Sequence, residues 1–182
     1  MELKGERLLA ADRATAWAAL NDTDMLKNCV PGCESITATG ENQFDIAMTA
    51  AVGPVKARFK GKLALEDVDV PNAYTMKFDA SGGPTGFARG DVRVTLTEAG
   101  AQQTKLVYVA NAQIGGKLAQ VGSRLIDAAA GATADKFFEA FGAQLAARAQ
   151  PTGTAAAPVG PARIGFWSLL VAFFRRLFSR GG

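Results

Sequence analysis

The sequence contains no histidine and only two cysteines, Cys29 and Cys33. Without an imidazole, the commonest general base and the commonest metal ligand are both missing. Two thiols alone cannot complete a tetrahedral zinc shell, so no metal site is expected. No serine or cysteine stands in a nucleophile motif. Asp91, Asp127 and Asp135 fall on polar positions and read as solvated faces. No catalytic residue is therefore expected, and the chain reads as a non-enzyme. The first 13 residues, MELKGERLLAADR, lack the apolar core of a secretory signal. A cytoplasmic, reducing location is expected, with both thiols free.

Acid is missing from one region. Residues 149–182 contain no Asp or Glu but four arginines, Arg163, Arg175, Arg176 and Arg180. Removing these from the 20 bases leaves 16 against 17 acids, so residues 1–148 stand near −1 and the tail at +4. A body without excess positive charge is not a nucleic-acid-binding body. The tail calls for an anionic partner, and a phospholipid surface is the natural one.

What is present suits one domain with an appendage in 182 residues. Residues 2–10 read as a strand. Asp12 or Arg13 opens a short helix with Trp17 and Leu20, and Asp22 or Thr23 caps a second from Met25 to Cys29. Pro31-Gly32 is a turn. Period-two alternation follows: Phe44, Ile46, Met48 and Ala50; then Val55, Ala57, Phe59, Gly61, Leu63 and Leu65; then Tyr74, Met76, Phe78 and Ala80; then Val92, Val94 and Leu96; then Leu106, Tyr108 and Ala110. Gly53-Pro54, Pro71-Asn72, Gly82-Gly83-Pro84 and Ala99-Gly100 mark the turns between. Strands with one apolar face, joined by short turns, make an antiparallel meander. Gly115-Gly116 ends the sheet. From Lys117 to about Ala149 the pattern is helical, with Leu118, Val121, Leu125 and Ala129 on one face and Phe137, Phe138, Phe141 and Leu145 on a rotated one. The expected architecture is α+β: a curved antiparallel sheet of six or seven strands wrapped on a long C-terminal helix, with two short helices after the first strand.

Three segments follow: a domain at 1–149, a flexible Pro/Ala/Gly linker at 150–162 and an amphipathic tail at 163–182. The uncharged run Ile164–Phe174 has 11 residues, against the roughly 20 a spanning helix needs. On a helical wheel Arg175 and Arg176 fall on a narrow arc with Gly165, Ser168, Ala172 and Ser179. Phe166, Trp167, Leu169, Leu170, Phe173, Phe174, Leu177 and Phe178 fill the apolar remainder. A wide apolar face with a basic strip suits a helix lying in the headgroup layer. The alternatives are a partner's groove or packing on the body itself.

A curved sheet under one helix closes only if large side chains fill the gap. Ala57, Gly61, Ala80 and the run Ala128–Ala132 are small. Small residues on both walls either bring the walls together or leave a void; the pattern leaves both open. If there is a void, its expected lining is Phe44, Ile46, Met48, Ala57, Phe59, Gly61, Met76, Phe78, Phe87 and Tyr108 from the sheet, with Leu118, Val121, Leu125 and Ala129 from the helix. Apolar walls with adaptable methionines suit a hydrophobic small molecule. The loop Gly82–Gly90 is no phosphate cradle, since no lysine-hydroxyl pair and no helix follow it. It reads as a wide hairpin turn or as a rim at the pocket mouth.

Several of these stretches resemble a known family. Trp17-Ala-Ala-Leu-Asn-Asp, Val30-Pro-Gly-Cys-Glu-Ser, Val52-Gly-Pro-Val-Lys, Phe59-Lys-Gly-Lys and Gly86-Phe-Ala-Arg-Gly are similar to the G-subunit family of carbon monoxide dehydrogenase. So is Gly115-Gly-Lys-Leu-Ala-Gln-Val-Gly-Ser-Arg-Leu-Ile-Asp followed by Phe137-Phe. The resemblance runs in order through residues 1–147. It implies a helix-grip, START-like fold. It implies association with molybdenum hydroxylase subunits, recruitment of that enzyme to the inner face of the cell membrane, and a respiratory quinone, menaquinone or ubiquinone, held non-covalently in the cavity. The rival readings are a membrane tether or assembly factor without a functional ligand, a general lipid-binding protein of this fold, and an enzyme of the same fold.

Overall fold

A computed structural model describes residues 1–149; the linker and tail expected at 150–162 and 163–182 lie outside the described residues. The chain runs β1 (Glu2–Leu9), α1 (Arg13–Leu20), α2 (Thr23–Cys29), β2 (Cys33–Gly40), β3 (Gln43–Val52), β4 (Val55–Asp69), β5 (Ala73–Ser81), β6 (Phe87–Gly100), β7 (Gln103–Gly115) and α3 (Ser123–Ala149). Short 3₁₀ turns at Gly83–Thr85 and Gly116–Val121 precede β6 and α3. The seven strands form one antiparallel sheet in the order β1-β7-β6-β5-β4-β3-β2. The meander from β2 to β7 follows sequence order, and β1 closes it by pairing with β7.

The two short helices start where their caps place them. The Asp12 carboxylate accepts the Thr15 amide at 3.0 Å, and the Asp22 carboxylate accepts the Met25 amide at 3.0 Å. Both helices cover one end of the sheet. There Trp17 meets Tyr74 edge-on at 5.6 Å, and Met25 and Cys29 are buried. The second half of α3 completes this core. Phe141 is fully buried, Leu145 nearly so, and Phe138 stacks on Tyr108 at 5.4 Å. Burying a side chain the size of Phe141 is worth about 1.5–3 kcal/mol. Arg148 at the end of the helix donates to the Asp22 carboxylate at 2.8 Å, tying α3 to the start of α2.

The long helix is shorter than the periodicity suggests. Gly122 has φ +94°, and residues 116–121 make a 3₁₀ turn of different period. The regular helix therefore begins at Ser123, and its phase cannot be counted back to Leu118. Its inward face carries Ile126, Ala130 and Ala134, while Leu125 is 47% exposed. The strand Cys33–Gly40 has no clean alternation and does not stand out in the pattern; pairing with β3 fixes it, through a register shift after Cys33.

Two glycines decide how closely the layers approach. A Cβ at Gly61 would collide with the Asp79 carbonyl oxygen and with Ala80, so the missing side chain there lets β5 close in on β4. At Gly131, on α3, a Cβ would meet nothing within 4 Å.

This packing makes stability depend on pH and on glycine position. Burial pushes the Asp22 carboxyl up, but the Met25 amide and Arg148 outweigh it and hold it below its ordinary 3.8. A carboxyl depressed in the folded state stabilises above its unfolded pKa, and that contribution is lost as the pH falls through the folded value. Asp22→Asn, which keeps a capping oxygen, should cost about 1 kcal/mol at neutral pH. That cost should shrink at acid pH, as the carboxyl is protonated through its lowered folded value. Urea titrations at neutral and acid pH read this. In the same assay Gly131→Ala should stabilise by about 0.5–1 kcal/mol. Gly61→Ala should destabilise by about 1–3 kcal/mol.

Candidate functional site

The inward face of the sheet is a series of cross-strand rows. Nearest the short helices, Leu96 pairs with Leu106, and Tyr74, Val94 and Tyr108 form the next row; all five are buried core. Leu65, Met76 and Val92 make a third row, partly buried and packed on that core. Two rows remain towards the far end. One runs Phe44, Leu63, Phe78, Gly90, Ala112; the other runs Ile46, Gly61, Ala80, Ala88, Ile114. Neither joins the core cluster, and every member is only half-buried. No side chain in either row carries a nitrogen or oxygen.

These two rows are left open because of what lies above them. The first half of α3 offers Ile126, Ala130 and Ala134, and beside them Gly131 has empty space at its Cβ position. The helix approaches the sheet along β1 and β3 and meets α2, so it bridges the middle strands. The result is an apolar trough floored by Met76, Val92 and Tyr108. On the β1 side the Arg7 guanidinium lies 5.3 Å above the Phe138 ring and pairs with Asp135 of α3, which closes that flank. The mouth is formed by the β3–β4 hairpin, the two 3₁₀ turns and the first turn of α3, where Leu125 lies against Gly53.

The residues expected to line a pocket divide accordingly. Phe44, Ile46, Met48, Ala57, Gly61 and Phe78 are brought together on the open wall. Phe59 stands with them but is 6% exposed, its ring against Gly82. Met76 and Tyr108 are the floor, Leu118 is buried under the mouth, and Val121 and Ala129 are half-buried above it. Two assignments are corrected. Phe87 points to the outer face, where the Arg89 guanidinium covers its ring at 5.3 Å. In a strand whose inward residues are Ala88, Gly90 and Val92, an odd-numbered position must face out. Leu125 stands on the rim, because Gly122 breaks the helix phase. Pattern reading missed Ala88, Gly90, Ala112, Ile114 and Ile126. Extending the alternation of β6 and β7 to their ends would have found the first four.

Burial pushes the Cys29 and Cys33 thiols up, so neither is a ready thiolate at neutral pH. Cys29 accepts a hydrogen bond from Gln144 at 3.3 Å. Among the described residues no cluster of three His, Cys, Asp or Glu could hold a metal, and no helix is long and apolar enough to cross a membrane. A groove of about 810 Å³ lies on the outer face, between rows that include Lys62, Asp79 and Arg89 on one side and Lys77, Asp91 and Asn111 on the other. Its mixed charges set it apart from the trough.

Comparison with known proteins agrees with this geometry. A conserved protein from Geobacillus kaustophilus superposes with a TM-score of 0.76 at 26% identity, covering 81% of this chain and 96% of that one. An aromatase/cyclase, Zhui, from Streptomyces sp. R1128 gives a TM-score of 0.63 at 12% identity, covering 85% and 99%. A START superfamily protein from Mycobacterium smegmatis gives 0.63 at 11% identity, covering 81% and 98%. Those two share the fold alone, the START-like helix-grip arrangement of an antiparallel sheet around a long C-terminal helix. No curated protein matches the sequence significantly. The family model for the carbon monoxide dehydrogenase G subunit (CoxG) matches residues 5–146, the sheet from within β1 onward with nearly all of the helix above it, and the chain belongs to that family.

Proposed function

We propose that the protein is a non-catalytic accessory component of a molybdenum hydroxylase of the carbon monoxide dehydrogenase type. It takes a respiratory quinone, menaquinone or ubiquinone, into the trough and presents it to the enzyme at the inner surface of the cell membrane. The observation that carries this reading is the pair of wholly apolar rows left half-buried beneath a helix face of Ile126, Ala130 and Ala134. An isoprenoid chain leaves lipid only if another apolar wall replaces it, at about 25 cal/mol per Å². The two rows offer such a wall, and membership of the CoxG family supplies the partner class. Nothing in the rows can donate or accept a proton, which favours carriage over chemistry. The tail, with Trp167, Phe173 and Phe174 beside Arg175 and Arg176, serves as the surface anchor.

Organic extraction of the purified full-length protein, followed by mass spectrometry, should release a quinone. Titration of the emptied protein with quinone should quench its fluorescence to saturation. Ala80→Phe with Ala88→Phe, side by side on the open wall, should weaken binding at least about tenfold, a change of roughly 1.4 kcal/mol, while leaving the unfolding midpoint nearly unchanged. Absence of any quinone or lipid, with a flat titration, would leave a tether and end the carrier reading. Deleting residues 163–182 should abolish co-sedimentation with vesicles containing anionic lipid; sedimentation that persists would sink the anchor assignment.

A further inference from the structure

The two ends of the sheet differ in charge. At the mouth, three connections meet with the element ends that flank them: residues 51–56 at the β3–β4 turn, 81–87 from the end of β5 to the start of β6, and 115–125 from the end of β7 into the first turn of α3. These contain Lys56, Lys117 and Arg124, and no acid. At the opposite end the connections with their flanking strand ends are residues 10–12, 40–43, 66–73 and 97–103. These contain Asp12, Glu41, Glu66, Asp67, Asp69 and Glu98, of which Glu66, Asp67 and Glu98 are paired with Lys77, Arg93 and Arg13. Residues 1–148 as a whole stand near −1, so the positive mouth does not come from a generally basic body.

The three mouth cations are all exposed, and among the described residues none has a carboxylate within salt-bridge distance. The nearby Glu34 is already taken by Arg58 at 2.5 Å, and Asp127 lies one turn further along α3. Between the cations stand exposed apolar groups. Leu125 is 47% exposed, and Pro54 and Pro84 are exposed at the tips of their turns. Free cations around protruding apolar side chains match the layering of a bilayer surface, with phosphates outside and hydrocarbon beneath. An acidic protein would satisfy the charges but would leave no use for the apolar tips.

We infer that the mouth of the trough docks on an anionic lipid surface, with Lys56, Lys117 and Arg124 on headgroup phosphates and Leu125 inserted between them. This rests on the carrier reading only in giving the docked mouth a purpose, since a guest could then pass from bilayer to trough without crossing water. Three exposed charges are too few to hold the body there alone. The rim orients a body that the tail has already brought to the surface.

The test uses the full-length chain with Cys33→Ser, labelled with an environment-sensitive fluorophore at Leu125→Cys or, at the acidic end, at Val70→Cys; Val70 is 53% exposed. On vesicles of phosphatidylcholine and phosphatidylglycerol the label at 125 should brighten at least about twofold and shift to the blue, as a label entering hydrocarbon does. The label at 70 should not respond. The triple variant K56E/K117E/R124E should lose the response at 125 while still sedimenting with the vesicles. A silent label at 125 on protein that sediments would overturn the inference. So would equal responses at 125 and 70, a response the triple variant keeps, or protein that does not reach the vesicles. If the labelled variants fail to fold, hydrogen exchange of residues 115–126 in the unlabelled protein replaces them. Protection on vesicles supports the docking, and unchanged exchange refutes it. Quinone titration of the triple variant in solution should match the original protein, so a failed trough and a failed rim are told apart.

Discussion

The structure depends on one asymmetry in its long helix. The second half of α3 is held by Phe138 on Tyr108, by the buried Phe141 and Leu145, and by Arg148 on Asp22. The first half presents Ile126 and then only alanines to the same sheet. A helix of 27 residues is about 40 Å long and rises as one stiff rod. Fixing one end by large side chains fixes the line of the other, and the small side chains on that line leave the facing rows half-buried. The core and the trough are two consequences of a single helix, aromatic at one end and small at the other.

The sheet is shaped to fit. Gly61 lets β5 approach β4 where a Cβ would strike the Asp79 carbonyl, and Gly90 permits the same approach of β7 to β6 at Asn111. Missing side chains at these points let neighbouring strands come close. At Gly131 the missing side chain leaves space. Residues of the same small size thus do opposite work, and what distinguishes them is the position of neighbouring backbone.

Apolar and charged groups are segregated along the sheet of this protein. Apolar rows lie between a closed core and an open mouth; bases surround the mouth, and acids crowd the turns at the other end. The START-like fold it shares with an aromatase/cyclase places no demand on what its cavity does. Here the wall has no proton-transferring side chain, and both cysteines are pushed towards the neutral thiol. Such a site can hold an oily molecule and shield it from water.

The amino-acid sequence by itself determined the order of elements, both helix caps, five of the seven strands in detail and most of the open wall. Each of these depends on local periodicity or on a turn residue, and neighbours along the chain suffice to express it. Tertiary structure decided the rest. The phase of α3 changed because Gly122 takes a positive φ and closes a separate 3₁₀ turn, which periodicity alone did not show. Phe87 turned outward because β6 begins earlier than its apolar alternation shows. β2 exists through its pairing with β3. Whether small residues mean contact or vacancy was settled between Gly61 and Gly131, since the distance between two walls belongs to both of them and is written in neither.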